Sequence, residues 1–548
     1  MATSSGASAA PRNGVPKEGI TPEERKVIFA SSLGTVFEWY DFYLYGTLAV
    51  FFGALFFPKG NDTAAFLASL ATFGAGFAVR PFGALVFGRL GDLIGRKHTF
   101  LVTIVLMGGS TAAVGLLPTY EKIGWAAPVI LVALRLIQGL ALGGEYGGAA
   151  TYVAEHAPHE KRGFFTSWIQ TTATLGFFLS LFVILACRLN MDAKEFALWG
   201  WRVPFLLSVL LLAVSVYIRL QLAESPAFKK MKAEGRHSKA PLTESFGNWK
   251  NLKIVLLALF GATAGQGVVW YTGQFYALFF LTTTLKVDFK EAYTLIAVAL
   301  LIGTPFFVVL GSLSDRIGRK SIIMAGCLLA ALTYIPLYKA LTHYVNPALE
   351  FAQKNTPVTV IAGDSCEFAV FTPQTNDCAK IKDLLSKNGV PYTNAAGAPG
   401  SAVVVTIGTI ELSSFKDEKG AFSPKPLADA LKTGGYPPKA NVNDIDYPMA
   451  ILILSILMLY VTMVYGPIAA FLVELFPTRI RYTSMSLPYH IGNGWFGGFL
   501  PFVSAAMVVA SGDIYYGLWY PIGVALMTFL VGMVFIKETK DNDIYATD

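Results

Sequence analysis

The chain has 548 residues, of which 54% are hydrophobic and only 14% are charged, and its mean hydropathy is +0.52. This composition excludes an ordinary soluble domain, since soluble chains of this length carry more charge and fewer apolar residues. The net charge of +7 does not indicate nucleic-acid binding, because the Lys and Arg residues gather in short loops between apolar segments. The four cysteines form no CxxC pair and no metal-ligand spacing with histidine, so no metal and no cofactor is predicted.

Apolar segments long enough to cross a bilayer as helices follow an Ala-, Ser-, Gly- and Pro-rich N-terminus. They lie at about 27–57, 64–90, 98–118, 125–153, 164–187, 201–221, 254–284, 291–313, 321–342, 448–473, 483–510 and 516–537. The predicted fold is therefore all-α and polytopic, with 12 transmembrane helices in two six-helix bundles. The predicted parts are a disordered cytoplasmic tail (1–22), an N-terminal bundle (23–221), a basic cytoplasmic linker (222–252), a C-terminal bundle (253–342 and 447–540) and a C-terminal tail (541–548).

A ten-residue loop, G-x-x-x-D-x-x-G-R-K, occurs twice, at 88–97 and 311–320. Each copy joins the second and third apolar segments of its half, which indicates an internal repeat. The glycines allow a tight turn, and each Asp can meet the positively polarised N-terminus of a neighbouring helix. We predict that the loops act as conformational latches through Gly88, Asp92, Arg96, Lys97, Gly311, Asp315, Arg319 and Lys320.

Basic residues occupy alternate short loops, which places both termini in the cytoplasm by the positive-inside rule. The polar stretch 343–446 then lies on the outer side, between spans nine and ten. Its strand-like and helix-like runs predict a small α/β insert, which can bind an unknown extracytoplasmic partner. Cys366 and Cys378 lie close together in this oxidising compartment and are predicted to form a disulfide, the alternative being two free cysteines.

Ionisable groups within membrane spans are costly and usually functional. The first half places such groups, with polar neighbours on the same helix faces, at Glu38, Asp41, Tyr45, Arg80, Arg135, Gln138 and Glu145. We expect Asp41 or Glu38 to face Arg135, and Glu145 to approach Arg80. The acids outnumber the bases, so Asp41, Glu38 and Glu145 are predicted to carry the coupled proton and the arginines to bind substrate. The alternative is that these groups are structural ion pairs between helices.

Span seven carries a polar and aromatic stripe instead of charge. Gln266, Trp270 and Gln274 recur at intervals of four residues, with Tyr271 beside them, which suits binding of a polar solute. The alternative is that the glutamines hydrogen-bond neighbouring helices. His490 in span eleven is a further candidate for the site, or else a packed, hydrogen-bonded residue.

The repeated loops resemble the signature loop of the major facilitator superfamily, and the resemblance covers nearly the whole chain. Glu38-Trp-Tyr-Asp41-Phe, Arg80-Pro-Phe-Gly83 and Arg135-Leu-Ile-Gln138-Gly139 resemble the metabolite:proton symporter family. Members of that family carry α-ketoglutarate, citrate, shikimate, proline or glycine betaine. The resemblance implies proton symport by alternating access in the cell inner membrane, without a cofactor. This chain departs from the family in its longer outer insert and in lacking the coiled-coil tail of some osmolyte transporters.

The function predicted is therefore proton-coupled import of a small carboxylated metabolite such as α-ketoglutarate, another di- or tricarboxylate, or shikimate. A zwitterion or osmolyte such as proline or glycine betaine is the alternative substrate, and a non-transporting membrane sensor is a remote alternative. No nucleophile–base set is visible, so an enzyme is not predicted. The expected partners are the substrate, protons and lipid, with the chain acting as a monomer and without nucleic acid.

Overall fold

Residues 22–57, 72, 74–221, 224–235, 238–363, 376–417 and 420–544 are described by a computed structural model. Long helices fill both halves of the chain. In the first half they are α1 Pro22–Phe56, α2 Arg80–Ile94, α3 Arg96–Leu116, α4 Ala126–His156, α5 Arg162–Asn190 and α6 Phe196–Leu220. In the second half they are α7 Trp249–Thr284, α8 Phe289–Ile317, α9 Arg319–Val345, α10 Tyr447–Leu475, α11 Arg481–Ser511 and α12 Tyr516–Phe535.

Ten of these helices, α3 to α12, are long and apolar enough to cross a membrane, counted over the residues that the structure describes. The helices α1 and α2 pack among them, α1 against α5 and α2 against α4. Local chemistry sets several helix boundaries. The side chains of Asp288 and Asp446, for example, accept backbone N–H bonds at the starts of α8 and α10. The protein is therefore a multi-pass membrane protein.

The same helix pairings recur in the two halves. In the first half α4 packs against α2 and α3, and α3 packs against α6. In the second half α10 packs against α8 and α9, and α9 packs against α12. Between the halves, α2 contacts α11 and α5 contacts α8, so the interface is built from equivalent helices of the two bundles.

A four-stranded sheet lies between α9 and α10 in sequence. Its strands are β1 Val358–Ala362, β2 Thr393–Ala396, β3 Val404–Ile407 and β4 Ile410–Leu412. The order is β2-β1-β3-β4, in which β1 and β2 are parallel and the other pairs antiparallel. Three short helices accompany it, Pro347–Asn355, Asp377–Lys387 and Lys425–Thr433, with a 3₁₀ turn at Val442–Asp444. Burial of Val358, Val360, Val405 and Ile407 gives the sheet one core-facing side.

This insert is fixed to the ends of α7 and α11. The Tyr392 amide donates to the Gly512 carbonyl at 2.9 Å, and the Ala440 amide donates to the Lys286 carbonyl at 3.0 Å. Cys378 is disulfide-bonded, whereas Cys187 and Cys327 are free. The predicted partner Cys366 lies outside the described residues, so that pairing stays a prediction.

The remaining short elements lie in the connections. They are the helices Tyr120–Ile123, Ala193–Glu195 and Pro226–Ala233, a 3₁₀ turn at His159–Lys161 and a π-helical turn at Thr243–Gly247. Turns of π-helix also interrupt α7 at Leu259–Thr263, Thr272–Tyr276 and Phe280–Thr284, and α11 at Ile491–Gly497. Such turns are frequent at functional sites.

Candidate functional site

The two repeated loops lie at one end of the molecule, which we call the loop end. In the first loop, Asp92 is fully buried and lies 3.0 Å from Arg96. The Asp92 carboxylate accepts hydrogen bonds from the backbone N–H (2.9 Å) and hydroxyl (2.7 Å) of Thr483, near the start of α11. Glu155 lies 3.8 Å from Arg96 and 2.9 Å from Arg481 of the other half. Buried charges thus join the two halves at this loop.

The second loop repeats the arrangement with the halves exchanged. Asp315 lies 2.8 Å from Arg319 and accepts the backbone N–H groups of Gly163 and Phe164, at the start of α5, at 2.8 Å each. Glu474 lies 3.0 Å from Arg319 and 2.7 Å from Arg162 of the first half. Each aspartate therefore meets a helix N-terminus of the opposite bundle, where the backbone dipoles favour negative charge.

Both loops turn at a glycine of positive φ, Gly95 (φ 119°) and Gly318 (φ 103°). The amides after each glycine donate to a carboxylate that follows the last helix of the same half, Glu224 or Glu538. A Cβ at either glycine would lie 2.3 Å from that carboxylate. The turn therefore requires glycine both for its backbone conformation and for the close approach.

The other predicted loop residues also make contacts. Lys97 Nζ donates to the Leu220 carbonyl at 3.0 Å, and Lys320 Nζ donates to the Ile536 carbonyl at 2.7 Å. A Cβ on Gly88 would lie 2.9 Å from Thr483, and one on Gly311 would lie 2.3 Å from Ser167, both across the interface. These glycines let the two halves approach closely.

Sequence reasoning assigned no role to the acids and bases that complete the two clusters. Glu155 and Arg162 belong to a segment E-x-x-P-x-x-x-R that recurs at Glu474 and Arg481. This second internal repeat was readable in the sequence beside the first. The carboxylates Glu224 and Glu538 similarly follow the last helix of each half.

A cavity lies between the halves near the middle of the helices. It is lined by Thr35, Trp39, Arg80, Leu142, Glu145, Tyr146, Trp270, Tyr271, Tyr465, Tyr489, His490 and Asn493. Aromatic rings of opposite halves meet on both sides of it. Tyr146 and Tyr489 stack at 3.6 Å towards the loop end, and Tyr43 and Phe275 stack at 5.6 Å on the far side. The cavity is therefore enclosed by side chains that must separate to admit a ligand.

Arg80 is the cation in the cavity wall, and its residue is only 3% exposed. Its guanidinium lies over the rings of Phe77 (4.3 Å) and Phe42 (4.7 Å) and within hydrogen-bonding reach of the Tyr271 hydroxyl. No carboxylate of the described residues lies within 4.0 Å of it. The position depends on close packing of α2 and α4, since a Cβ on Gly143 would lie 2.2 Å from the Arg80 carbonyl.

Glu145 does not pair with Arg80, contrary to expectation. Its carboxylate lies 2.6 Å from Arg219 Nη2, and it accepts the Thr103 hydroxyl at 2.6 Å. Glu145 and Arg80 do line the same cavity. The sequence did not give the rotation of α4, nor show that Arg219 reaches back from the end of α6.

The expected contact between Asp41 and Arg135 is also absent from the described residues. Asp41 is buried and accepts the Ser208 hydroxyl of α6 at 2.5 Å. Arg135 Nη1 donates to Gln138 Oε1 at 2.6 Å, and its guanidinium lies 4.0 Å from the centre of the Tyr45 ring. The second acid considered for this contact, Glu38, lies in α1, but its side chain falls outside the described residues.

Arg135 and Gln138 line a second, smaller cavity, and Arg80 belongs to the walls of both cavities. Gln138 also donates to Thr111 at 2.9 Å, which holds α4 against α3. Four of the first-half candidates therefore lie in the walls of two adjacent cavities, namely Arg80, Arg135, Gln138 and Glu145. Asp41 and Tyr45 line neither cavity.

In the second half, Trp270, Tyr271 and His490 line the central cavity as a group. Gln266 instead exchanges two hydrogen bonds with Asn493 of α11, at 2.9 and 2.8 Å, which is the helix-to-helix role considered for it as the alternative. Gln274 is buried outside the lining of this cavity. The residues Asn493, Tyr146, Tyr465 and Tyr489 were missed because aromatic and amide side chains are common in packed helices.

Two helical bundles that repeat each other around a central cavity are the architecture of many membrane transporters. The family described as "Sugar (and other) transporter" matches residues 26–248, and the family described as "MFS/sugar transport protein" matches residues 148–364. A putative metabolite transport protein of Haemophilus influenzae is 30% identical over 520 residues, covering 95% of this chain and 97% of that protein. The chain belongs to the major facilitator superfamily and is a metabolite transporter within it, which confirms the predicted family.

Two Escherichia coli relatives differ in the substrates that their names give. The alpha-ketoglutarate permease is 35% identical, covering 59% of this chain and 73% of that protein. The proline/betaine transporter is 36% identical, covering 57% of this chain and 64% of that protein. The solved structure of the proton:xylose symporter XylE bound to 6-bromo-6-deoxy-D-glucose superposes with a TM-score of 0.63 at 16% identity, covering 95% of this chain and 98% of that one. That last likeness concerns the fold alone.

Proposed function

We propose that this protein is a proton-coupled symporter that imports a small carboxylated metabolite, such as α-ketoglutarate or shikimate, by alternating access. One observation carries the proposal. Arg80 is buried in the wall of the central cavity, and the described residues supply no carboxylate for it. A guanidinium binds a carboxylate through two parallel hydrogen bonds, so a substrate carboxylate would complete this site.

Asp41 is the group that we propose to carry the coupled proton. Its carboxyl group is buried, and the contacts that the structure shows for it are hydroxyl groups rather than cations. Such a group can gain or lose a proton without breaking an ion pair. Glu145 is less suited to this role, because its carboxylate is held by Arg219 at 2.6 Å. Glu38 stays a candidate beside Asp41.

We propose that the two loop clusters act as latches that keep the loop end closed. Asp92 and Asp315 each bind a helix N-terminus of the opposite half, so both contacts must break when this end opens. Loading of substrate and proton would favour rocking of the halves about the central cavity. The cycle needs no cofactor, because the proton gradient supplies the free energy.

The distribution of basic residues among the loops supports a proposal for how the protein is oriented in the membrane. We propose an inner-membrane location with both termini and the loop end in the cytoplasm, because short basic loops favour that side. In this arrangement 12 helices span the membrane, the insert 343–446 lies outside, and Cys366 is the disulfide partner of Cys378. We further propose that the chain works as a monomer, with lipid around it and the insert free to bind an extracytoplasmic partner.

A zwitterion such as proline or glycine betaine is the second candidate substrate. Trp39, Trp270, Tyr271 and Tyr465 place aromatic rings in the cavity wall, and such rings can hold a quaternary ammonium group. Arg80 would bind the carboxylate of either substrate class.

The proposal is tested with purified protein in liposomes that contain a pH-sensitive dye. Addition of α-ketoglutarate or shikimate should acidify the interior, and Arg80→Gln should abolish this signal. The matched control is Arg202→Gln, because Arg202 is bonded to carbonyls at the end of α3 and lies outside the cavity. Acidification by proline or betaine, but not by α-ketoglutarate or shikimate, would show that the substrate is a zwitterion. No acidification by any of these solutes would contradict proton-coupled uptake.

A further inference from the structure

Two polar side chains in the wall of the central cavity have no hydrogen-bond partner among the described residues. They are Trp270, at its indole nitrogen, and His490, at both ring nitrogens, and each residue is only 2% exposed. Asn493 and Tyr489 of the same wall are paired, since Asn493 bonds to Gln266 and the Tyr489 hydroxyl meets the Tyr465 hydroxyl at 2.9 Å. Buried polar groups are nearly always paired, so two unpaired groups facing one cavity indicate a ligand.

We infer that the substrate carries, besides the carboxylate bound by Arg80, a second oxygen-bearing group that Trp270 and His490 bind. This inference rests on the proposed function and narrows its substrate class to dicarboxylates and to hydroxy or keto acids. It assigns Trp270 and His490 as the residues that select these acids over quaternary amines.

The chemistry of the free groups supports this selection. An indole N–H only donates, a guanidinium only donates, and a neutral imidazole offers one donor and one acceptor. Arg80 Nε is itself without a partner among the described residues. The unpaired groups of Trp270, Arg80 and His490 therefore offer three hydrogen-bond donors and one acceptor. This set matches a ligand rich in oxygen atoms, which accept hydrogen bonds. A trimethylammonium group has no hydrogen-bonding atom and would leave Trp270 and His490 unpaired.

The positions of the groups add a second consequence. Arg80 belongs to α2 of the first half, whereas Trp270 and His490 belong to α7 and α11 of the second half. A solute with two oxygen-bearing groups can therefore bridge the halves, whereas a simple monocarboxylate reaches only Arg80. Both second-half residues lie next to π-helical turns, at Thr272–Tyr276 and Ile491–Gly497.

The test is isothermal titration of the purified full-length protein with α-ketoglutarate, shikimate, butyrate and glycine betaine. Butyrate carries a carboxylate without a second polar group. Trp270→Phe removes the N–H but keeps an aromatic ring, and His490→Leu removes both ring nitrogens. We expect either variant to weaken binding of α-ketoglutarate or shikimate about tenfold, with butyrate changed less than twofold, because each variant removes one hydrogen bond to the second group. His490→Gln, which keeps a donor and an acceptor, should recover most of the loss.

Several results separate this inference from the proposed function. If both oxygen-rich acids bind Trp270→Phe and His490→Leu as tightly as the unaltered protein, the inference is overturned, while a loss of binding in Arg80→Gln would still support the carboxylate site. Tighter binding of betaine than of every acid would also overturn it. Binding of the acids without proton uptake in liposomes would overturn only the coupling, and the selectivity of Trp270 and His490 would stand.

Discussion

Replacing Asp92 with Asn should open the loop end of the molecule while leaving substrate affinity largely in place. The Asp92 carboxylate is fully buried and accepts two hydrogen bonds from Thr483 of the opposite half, at 2.9 and 2.7 Å. Its pair with Arg96, at 3.0 Å, lies within one loop and can persist when the halves separate. Of these contacts of Asp92, only the two hydrogen bonds to Thr483 therefore require the loop end to be closed.

The size of the effect follows from these two bonds. A hydrogen bond to a charged group contributes about 1.5–3 kcal/mol, and a neutral one contributes about 0.5–1.5 kcal/mol. Asn keeps an acceptor oxygen, so the closed state loses about 1–1.5 kcal/mol per bond, or about 2–3 kcal/mol in all. The ratio of closed to open molecules should then fall by about 30- to 160-fold.

The opening can be measured by thiol labelling. Ser486 is fully buried where α11 meets Gly147 of α4, so Ser486→Cys reports access to this interface. In a background of Cys187→Ser and Cys327→Ser, maleimide labelling should accelerate at least tenfold on adding Asp92→Asn. An unchanged labelling rate would refute the latch, as would an unchanged maximal transport rate in Asp92→Asn together with weakened substrate affinity. Asp315→Asn should act similarly, because Asp315 accepts two backbone N–H bonds across the interface.

Three further changes test separate parts of the account. Asp41→Asn should abolish substrate-driven proton uptake in liposomes while titration still shows binding, since Asn cannot carry the proton. Gly318→Ala should lower the melting temperature and expression level by more than Gly400→Ala, because both glycines have positive φ but only Gly318 would place a Cβ 2.3 Å from Glu538. Tyr392→Ala should raise hydrogen exchange in 376–417, because the Tyr392 hydroxyl donates to the Val509 carbonyl and holds the insert against α11.

Each of these has a contradicting result. Proton uptake by Asp41→Asn at the unaltered rate would move the coupling to Glu38 or Glu145. Equal destabilisation by the two glycine variants would show that the positive φ alone requires glycine at position 318, without a contribution from the close approach of Glu538. Unchanged exchange in Tyr392→Ala would show that the other contacts of the insert hold it in place.

The parts of the site that could be predicted from the sequence are those that occur in both halves of the chain. The repeated loop pattern predicts that Asp92 and Asp315 each meet the N-terminus of a helix. In the structure both carboxylates accept hydrogen bonds from backbone N–H groups at such helix starts. The completing residues Glu155 and Glu474 belong to a second repeat, which is visible when the two halves of the sequence are aligned. Repetition within one chain is therefore the strongest signal that this sequence contains.

The pairing of charges within the membrane was not predictable in the same way. Sequence position gives the depth of a residue along a helix, because the rise per residue is constant. It does not give the rotation of the helix or the reach of a long side chain. Glu145 is therefore expected near Arg80 although it binds Arg219. Of the two acids expected to face Arg135, Asp41 accepts a bond from Ser208 instead, and the expectation for Glu38 stays a prediction.

The central claim is that a proton gradient drives a carboxylate through the cavity at Arg80. Its most direct test is the uptake of labelled α-ketoglutarate into liposomes with an acidic exterior. The account predicts accumulation above the external concentration, which a protonophore collapses and Arg80→Gln prevents. Equilibration to the external concentration without accumulation, whether or not the pH gradient is present, would contradict it.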